Sequence, residues 1–217
     1  MKILAFIPLF FCLLGGDQSP DDTPFFEGTA SFSVTLSGPM ADQLKVNEPN
    51  NKLLIHFRQG DYIVMLSGGR YPKTFMYINK YDMEFSVNTA QKKLYRYYPG
   101  KDMTKKQKPL IAKFTGKTAE VKGIECQVYM ARNEEVIFYY FVNDAYRMDT
   151  SFFDKKKQAK ASFLVEGLDG RIPLKTVKKK RGLTVVTSLQ SITPREFSPE
   201  QFAIPPGFKV DKRDYRY

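Results

Sequence analysis

Apolar and polar residues alternate from the first strand-like run onward. Phe26, Gly28, Ala30, Phe32, Val34 and Leu36 interleave with Glu27, Thr29, Ser31, Ser33 and Thr35. A period of two sets a greasy face against a hydroxyl-rich one and predicts a half-buried strand. Gly38-Pro39 stops the run, and the polar stretch 40–49 predicts a loop with room for a short helical turn. Further strand runs cover 53–58 and 62–66, separated by Gln59-Gly60-Asp61, which reads as a three-residue turn containing glycine. Short runs over 75–79, 83–88 and 92–98 follow, each bounded by polar or Gly/Pro breaks. Closely spaced strands of this kind predict an antiparallel meander, because parallel neighbours need long crossovers. Past a basic loop at 99–109, two longer runs occupy 124–132 and 136–143. Residues 136–142 are apolar or aromatic at every position, so that strand should be covered on both faces.

The period changes once. Asp149, Thr150 and Ser151 offer N-cap side chains, Phe152, Phe153, Ala159, Phe163 and Leu164 recur at helical spacing, and Gly167 offers a stop. An amphipathic helix is expected over 151–166, with its lysines toward water. Strand patterning resumes at 171–180 and 183–193 around the turn Arg181-Gly182. The fold class that follows is mainly β (α+β): a strongly curved antiparallel sheet, a half-barrel, with one amphipathic helix as its lid.

The first sixteen residues stand outside this pattern. Lys2, an apolar run through Leu14 and Gly15-Gly16 have the form of a secretory signal peptide, too short to span a bilayer. The expected organisation is a signal peptide at 1–16, a flexible acidic leader at 17–24, one curved-sheet domain at 25–210 and a charged tail at 211–217. The expected location is the periplasm or cell envelope. Cys12 follows Phe10-Phe11 and precedes Leu13-Leu14, a poor setting for lipidation, so release after Gly16 is favoured over tethering. Cys126 is then the sole cysteine of the mature chain, and no internal disulfide can staple it. About 200 residues rich in Phe and Tyr must hold together through apolar burial.

A net charge of +11 gathers at 101–108, 155–160 and 178–181. These Lys/Arg clusters suit either solvated turns or attraction to an anionic membrane surface. Nucleic acid is not expected as a partner, since the chain reads as exported and carries no binding motif. The search for chemistry yields no catalytic residue, metal site or cofactor. His56 is the lone histidine, in a strand, on the face alternate to Ile55 and Phe57; it reads as solvent-facing or hydrogen-bonded. Cys126, between strand neighbours Val128 and Met130, reads as a buried thiol packing as a small hydrophobe. The chain is therefore expected not to be an enzyme. What remains is the aromatic excess: either the concave face lines a lipid-sized cavity, or it forms an ordinary filled core.

Several motifs recur in order along a known family. They are Phe26-Glu-Gly-Thr-Ala-Ser-Phe32, Thr115-Gly-Lys-Thr-Ala-Glu-Val-Lys-Gly-Ile-Glu-Cys126, Phe141-Val-Asn-Asp144, Ile172-Pro-Leu-Lys175 and Phe202-Ala-Ile-Pro-Pro-Gly-Phe-Lys209. On these residues the chain resembles exported bacterial proteins of the DUF4412 type, related to the lipoprotein carrier-like and receptor-like (LolA/LolB-like) folds. The resemblance implies a half-open antiparallel sheet in the cell envelope, with a helical lid over an apolar cavity that, in the carriers, takes lipoprotein acyl chains. No arginine matches the one the carriers turn toward their cavity. The resulting expectation is a non-enzymatic envelope protein binding a lipid or lipoprotein acyl chain through Phe32, Val34, Ile55, Phe57, Ile63 and Met65, which would share one face of the first three strands. The alternative is a structural or protein-interaction module with a filled core and its function in exposed loops.

Overall fold

A computed structural model describes residues 25–45, 47, 49–97, 110–152 and 165–215. The expected signal peptide, acidic leader and basic loop, and residues 153–164 of the expected lid helix, lie outside the described residues. Twelve strands form one sheet: β1 (Gly28–Ser37), β2 (Lys52–Arg58), β3 (Asp61–Ser67), β4 (Lys73–Ile78), β5 (Met83–Asn88), β6 (Lys93–Tyr97), β7 (Lys113–Val121), β8 (Ile124–Arg132), β9 (Ile137–Arg147), β10 (Arg171–Lys180), β11 (Leu183–Pro194) and β12 (Lys209–Tyr215). Their order across the sheet is β12-β6-β5-β4-β3-β2-β1-β11-β10-β9-β8-β7, with β12 and β7 as open edges. All pairs are antiparallel except β12 with β6. The antiparallel expectation is met throughout the meander and corrected at this one pair, which the chain reaches through the tail segment. The expected boundary between domain and tail falls inside β12.

Among the described residues the α-helix is α1 (Ala41–Lys45), in the loop expected to hold a helical turn. Residues 150–152 form a single 3₁₀ turn, and 166–170 run through two turns with a bend at Leu168. Short hairpin turns join most neighbours, and Arg181-Gly182, both at positive φ, makes the tight reversal between β10 and β11.

The sheet bends sharply where β10 and β11 part. Their pairing ends at Lys175–Ser188. Beyond that point β10 continues on β9, while β11 continues on β1. Three flat strand spacings would separate β1 from β9 by about 14 Å. Yet the Phe26 N–H, just before β1, donates to the Arg147 carbonyl at the end of β9 across 2.7 Å. Leu174 and Leu189 fill the fork, both buried. Phe26 meets Phe57 and Tyr146 edge-on, with ring centroids 6.0 and 5.7 Å away. One core therefore joins residues of β1–β4 to Val121, Cys126 and Ile172 from the far half of the sheet.

Two smaller cores lie beside it. Ala131, Tyr140 and Val142 pack under Ala112 and Leu168. Met76, Ile78, Phe85 and Leu94 pack with Ile204 and Phe208 of the C-terminal segment. The apolar run of β9 is covered on both faces at its inner end, where Phe141 packs on the main core while Tyr140 and Val142 enter the second, whereas Ile137 and Tyr139 stay half-buried.

Candidate functional site

Register divides the six expected ligand-facing residues between two faces. β1 and β2 pair with Ala30 opposite Ile55 and Phe32 opposite Leu53, so Phe32, Val34, Ile55 and Phe57 share a face. The turn after β2 is two residues long, Gln59-Gly60, and Arg58 pairs with Asp61. His56 therefore faces Ile63, and Leu54 faces Met65. A three-residue turn would have put Ile63 and Met65 on the face of Phe57 and Ile55. Shortening it by one residue turns every β3 side chain over. The expectation that all six share one face is corrected on this ground.

Burial separates the remaining four. Phe32, Ile55 and Phe57 are core residues. Phe32 and Val34 also reach an open groove of about 580 Å³ where β1 and β2 diverge. Regular pairing stops at Ser33–Lys52, and the next bond runs from the Val34 N–H to the Asn51 carbonyl at 2.8 Å. Phe32, Val34, Leu53 and Leu54 are the apolar part of the groove lining, and the more numerous remaining residues form a polar margin that includes Ser33, Lys52 and Gln190. Gln190 Nε2 donates to Ser33 Oγ across 2.9 Å, which fixes that margin. The hydroxyl-rich alternation of β1, legible in sequence, is what makes one side polar. Leu53, Leu54 and Gln190 were missed, because a strand's divergence from its neighbour leaves no trace in its own pattern.

A second cluster lies on β3–β5. Tyr62 and Tyr77 are opposed by register and stack with centroids 5.1 Å apart and planes 15° from parallel. The Tyr62 hydroxyl donates to Glu84 Oε2 at 3.4 Å, and the Tyr77 hydroxyl donates to Asp82 Oδ1 at 3.1 Å. Burial pushes the Glu84 carboxyl up to about 7, while the Tyr62 hydrogen bond pulls it partly back. Both phenols are driven well above their usual range, chiefly by burial and then by the neighbouring carboxylates. This arrangement is a proton-holding pair inside packed aromatics rather than an open site.

His56, half-buried, and Cys126, buried, sit in separate settings. His56 Nδ1 lies 2.8 Å from Thr29 Oγ1 across the β1–β2 ladder, and its ring meets Phe197 edge-on. Burial and then Arg195 hold its pKa below the ordinary value, so the neutral imidazole is favoured. The Cys126 thiol is buried, and burial followed by Glu125 pushes it up to about 11. Both residues have the bonded or buried character expected of them. Among the described residues, no group of three or more His, Cys, Asp or Glu side chains is placed to hold a metal ion.

No protein-family model matches the chain, and no curated protein matches it. Solved structures give remote likenesses. The chain is similar to PNGF-II, with a TM-score of 0.49 and 14% identity over 87% of this chain, but it spans only 32% of that protein. It is similar to an uncharacterized conserved protein from Thermus thermophilus, with a TM-score of 0.48 and 9% identity, covering 86% of this chain and 91% of that one. It is also similar to LprF from Mycobacterium bovis, with a TM-score of 0.35 and 9% identity, covering 82% and 90% respectively.

Proposed function

We propose that this chain is an exported, non-enzymatic protein of the cell envelope that binds an apolar ligand, a lipid or a lipoprotein acyl chain. The β1–β2 groove carries the reading: its volume of about 580 Å³ falls in the range of small-molecule sites. The apolar part of its lining, Phe32, Val34, Leu53 and Leu54, offers an alkyl chain contact at roughly 25 cal/mol per Å² buried. The polar margin of Ser33 and Gln190 suits a head group or ester at one end. The leading sixteen residues support export, and the sheltered states of His56 and Cys126 support a role without catalysis.

Uptake of a fluorescent fatty acid, together with mass spectrometry of organic extracts from natively expressed protein, tests the reading. Wild-type protein takes up the probe and carries lipid, and Val34→Glu loses both while staying folded. Absence of lipid and of probe uptake in wild type overturns it. That outcome favours the second reading, an envelope interaction module, which the fully enclosed Phe57, Tyr62 and Leu174 support because they leave the interior packed.

A further inference from the structure

One rim of the sheet collects exposed basic and exposed apolar side chains together. Antiparallel pairing places the start of β2, the end of β3, the start of β9 and the β10–β11 turn at the rim where β1 ends. Lys52, Arg70, Lys178, Lys179 and Arg181 stand exposed along it. Met40 and Leu44, on and beside α1, are 44% and 38% exposed at the same place. The Met40 N–H donates to the Gly182 carbonyl at 3.3 Å, which seats the apolar pair directly on the basic turn. Phe114 and Val210 are also exposed at this rim, whereas exposed Phe25 and Tyr81 lie at the opposite one.

The acids at this rim are few. Asp42 pairs with Lys45 at 3.0 Å and Glu135 with Lys180 at 3.5 Å, Glu134 lies beside them, and exposed Glu166 stands where β7 begins, its carbonyl accepting from the Ala112 N–H. Lys178 and Lys179 run over the rings of Phe138 and Tyr139, 5.5 and 5.8 Å from the centroids, on opposite faces of the sheet. Asp82, Glu120, Asp144 and Asp169 occur at the other rim. Arg58, Lys122 and Arg171 also stand at that other rim, but Arg58 pairs with Asp61 and Arg171 with Asp144 and Asp169. The positive excess of the described residues thus gathers at the rim of the β10–β11 turn, which chain order conceals.

We propose that this rim docks on an anionic phospholipid bilayer, with Met40 and Leu44 entering the head-group boundary and Lys178, Lys179 and Arg181 meeting lipid phosphates. Lysines alone would suit any polyanion, but exposed Met and Leu gain nothing from a polyphosphate or nucleic-acid strand. At a bilayer they gain apolar transfer in addition to the charge attraction. Docking needs no ligand in the β1–β2 groove, so its failure and that of the groove reading are separable.

The test is co-sedimentation of the full chain with vesicles of phosphatidylcholine alone or mixed with phosphatidylglycerol. Wild type binds the mixed vesicles and releases as salt rises. Lys178→Glu/Lys179→Glu loses at least roughly tenfold in binding, as does Met40→Asp/Leu44→Asp, while Phe25→Asp at the other rim binds as wild type. Thermal melts show which variants are folded, and Lys178→Gln/Lys179→Gln repeats the lysine arm without charge reversal. Equal binding to neutral vesicles overturns the proposal. Rim variants that bind as wild type also overturn it, since they shift the binding to another part of the chain such as residues 1–16. Capture on polyphosphate that Met40→Asp/Leu44→Asp leaves intact, without vesicle binding, makes the rim a polyanion site instead and overturns it too.

Discussion

The Tyr62 hydroxyl donates to Glu84 Oε2 across 3.4 Å from within a tyrosine stack, and the carboxylate it meets is buried enough to titrate at about 7. In the unfolded chain the same carboxyl titrates near 4.5. Between those values the folded protein keeps a proton the unfolded chain has released, so this group's contribution to stability falls as pH rises through the window. Glu84→Gln removes the penalty and keeps an acceptor for Tyr62. The variant should exceed wild type by roughly 1 to 3 kcal/mol at pH 8 and match it near pH 4. Urea titrations at the two pH values check this, and a difference independent of pH sinks it.

Core and groove residues should respond differently to truncation. Phe57 is fully buried against Phe26, so Phe57→Ala should cost roughly 3 to 5 kcal/mol. Val34 is half-buried at the groove, so Val34→Ala should cost about 1 kcal/mol or less while weakening uptake of an apolar probe. Denaturant midpoints beside probe titrations make the comparison. Similar stability losses for both would place Val34 in the core.

The strands legible in sequence are those with a buried face, and the two that escaped notice are the two edges. β7 reads Lys-Phe-Thr-Gly-Lys-Thr-Ala-Glu-Val and is mostly exposed, with a register irregularity between Phe114 and Lys117. β12 begins Lys-Val-Asp and meets one neighbour, β6. An edge strand needs little apolar alternation, and charge or a bulge there discourages pairing with other chains. Alternation within β1 and β2 was likewise enough to group Phe32, Val34, Ile55 and Phe57. It could not assign Ile63 and Met65, because the side they face depends on one residue of turn length. The groove depends on where two ladders part, and the polarised rims depend on which turns share an end. Both are properties of strand order rather than of any single segment.

Cys126 should be unreactive in the native state. Only a thiolate attacks a disulfide reagent, and this thiol is both buried and held at about 11. At pH 8 an aromatic disulfide reagent should modify it at the rate of unfolding, and denaturant should make the reaction fast. Stopped-flow absorbance on a Cys12→Ser chain distinguishes the cases; rapid stoichiometric reaction without denaturant contradicts the packing around β8.

Gly38 should be the costlier of two glycines that share a left-handed backbone. Gly38 has φ +100, and a methyl group there would run into the Gly182 carbonyl oxygen, the acceptor for the Met40 N–H. Gly123, in the β7–β8 turn, has φ +79 and open space where its Cβ would go. Alanine at either site carries the left-handed penalty of about 1 to 2 kcal/mol. Only Gly38→Ala adds a backbone collision, and relieving it means lifting α1 from the β10–β11 turn. Gly38→Ala should therefore lose more stability than Gly123→Ala, and its amides over 38–45 should exchange hydrogen faster. Thermal melts and hydrogen exchange of the two variants side by side check both points. Equal losses with unchanged exchange at 38–45 would show that the α1 segment does not depend on the close approach of these two glycines.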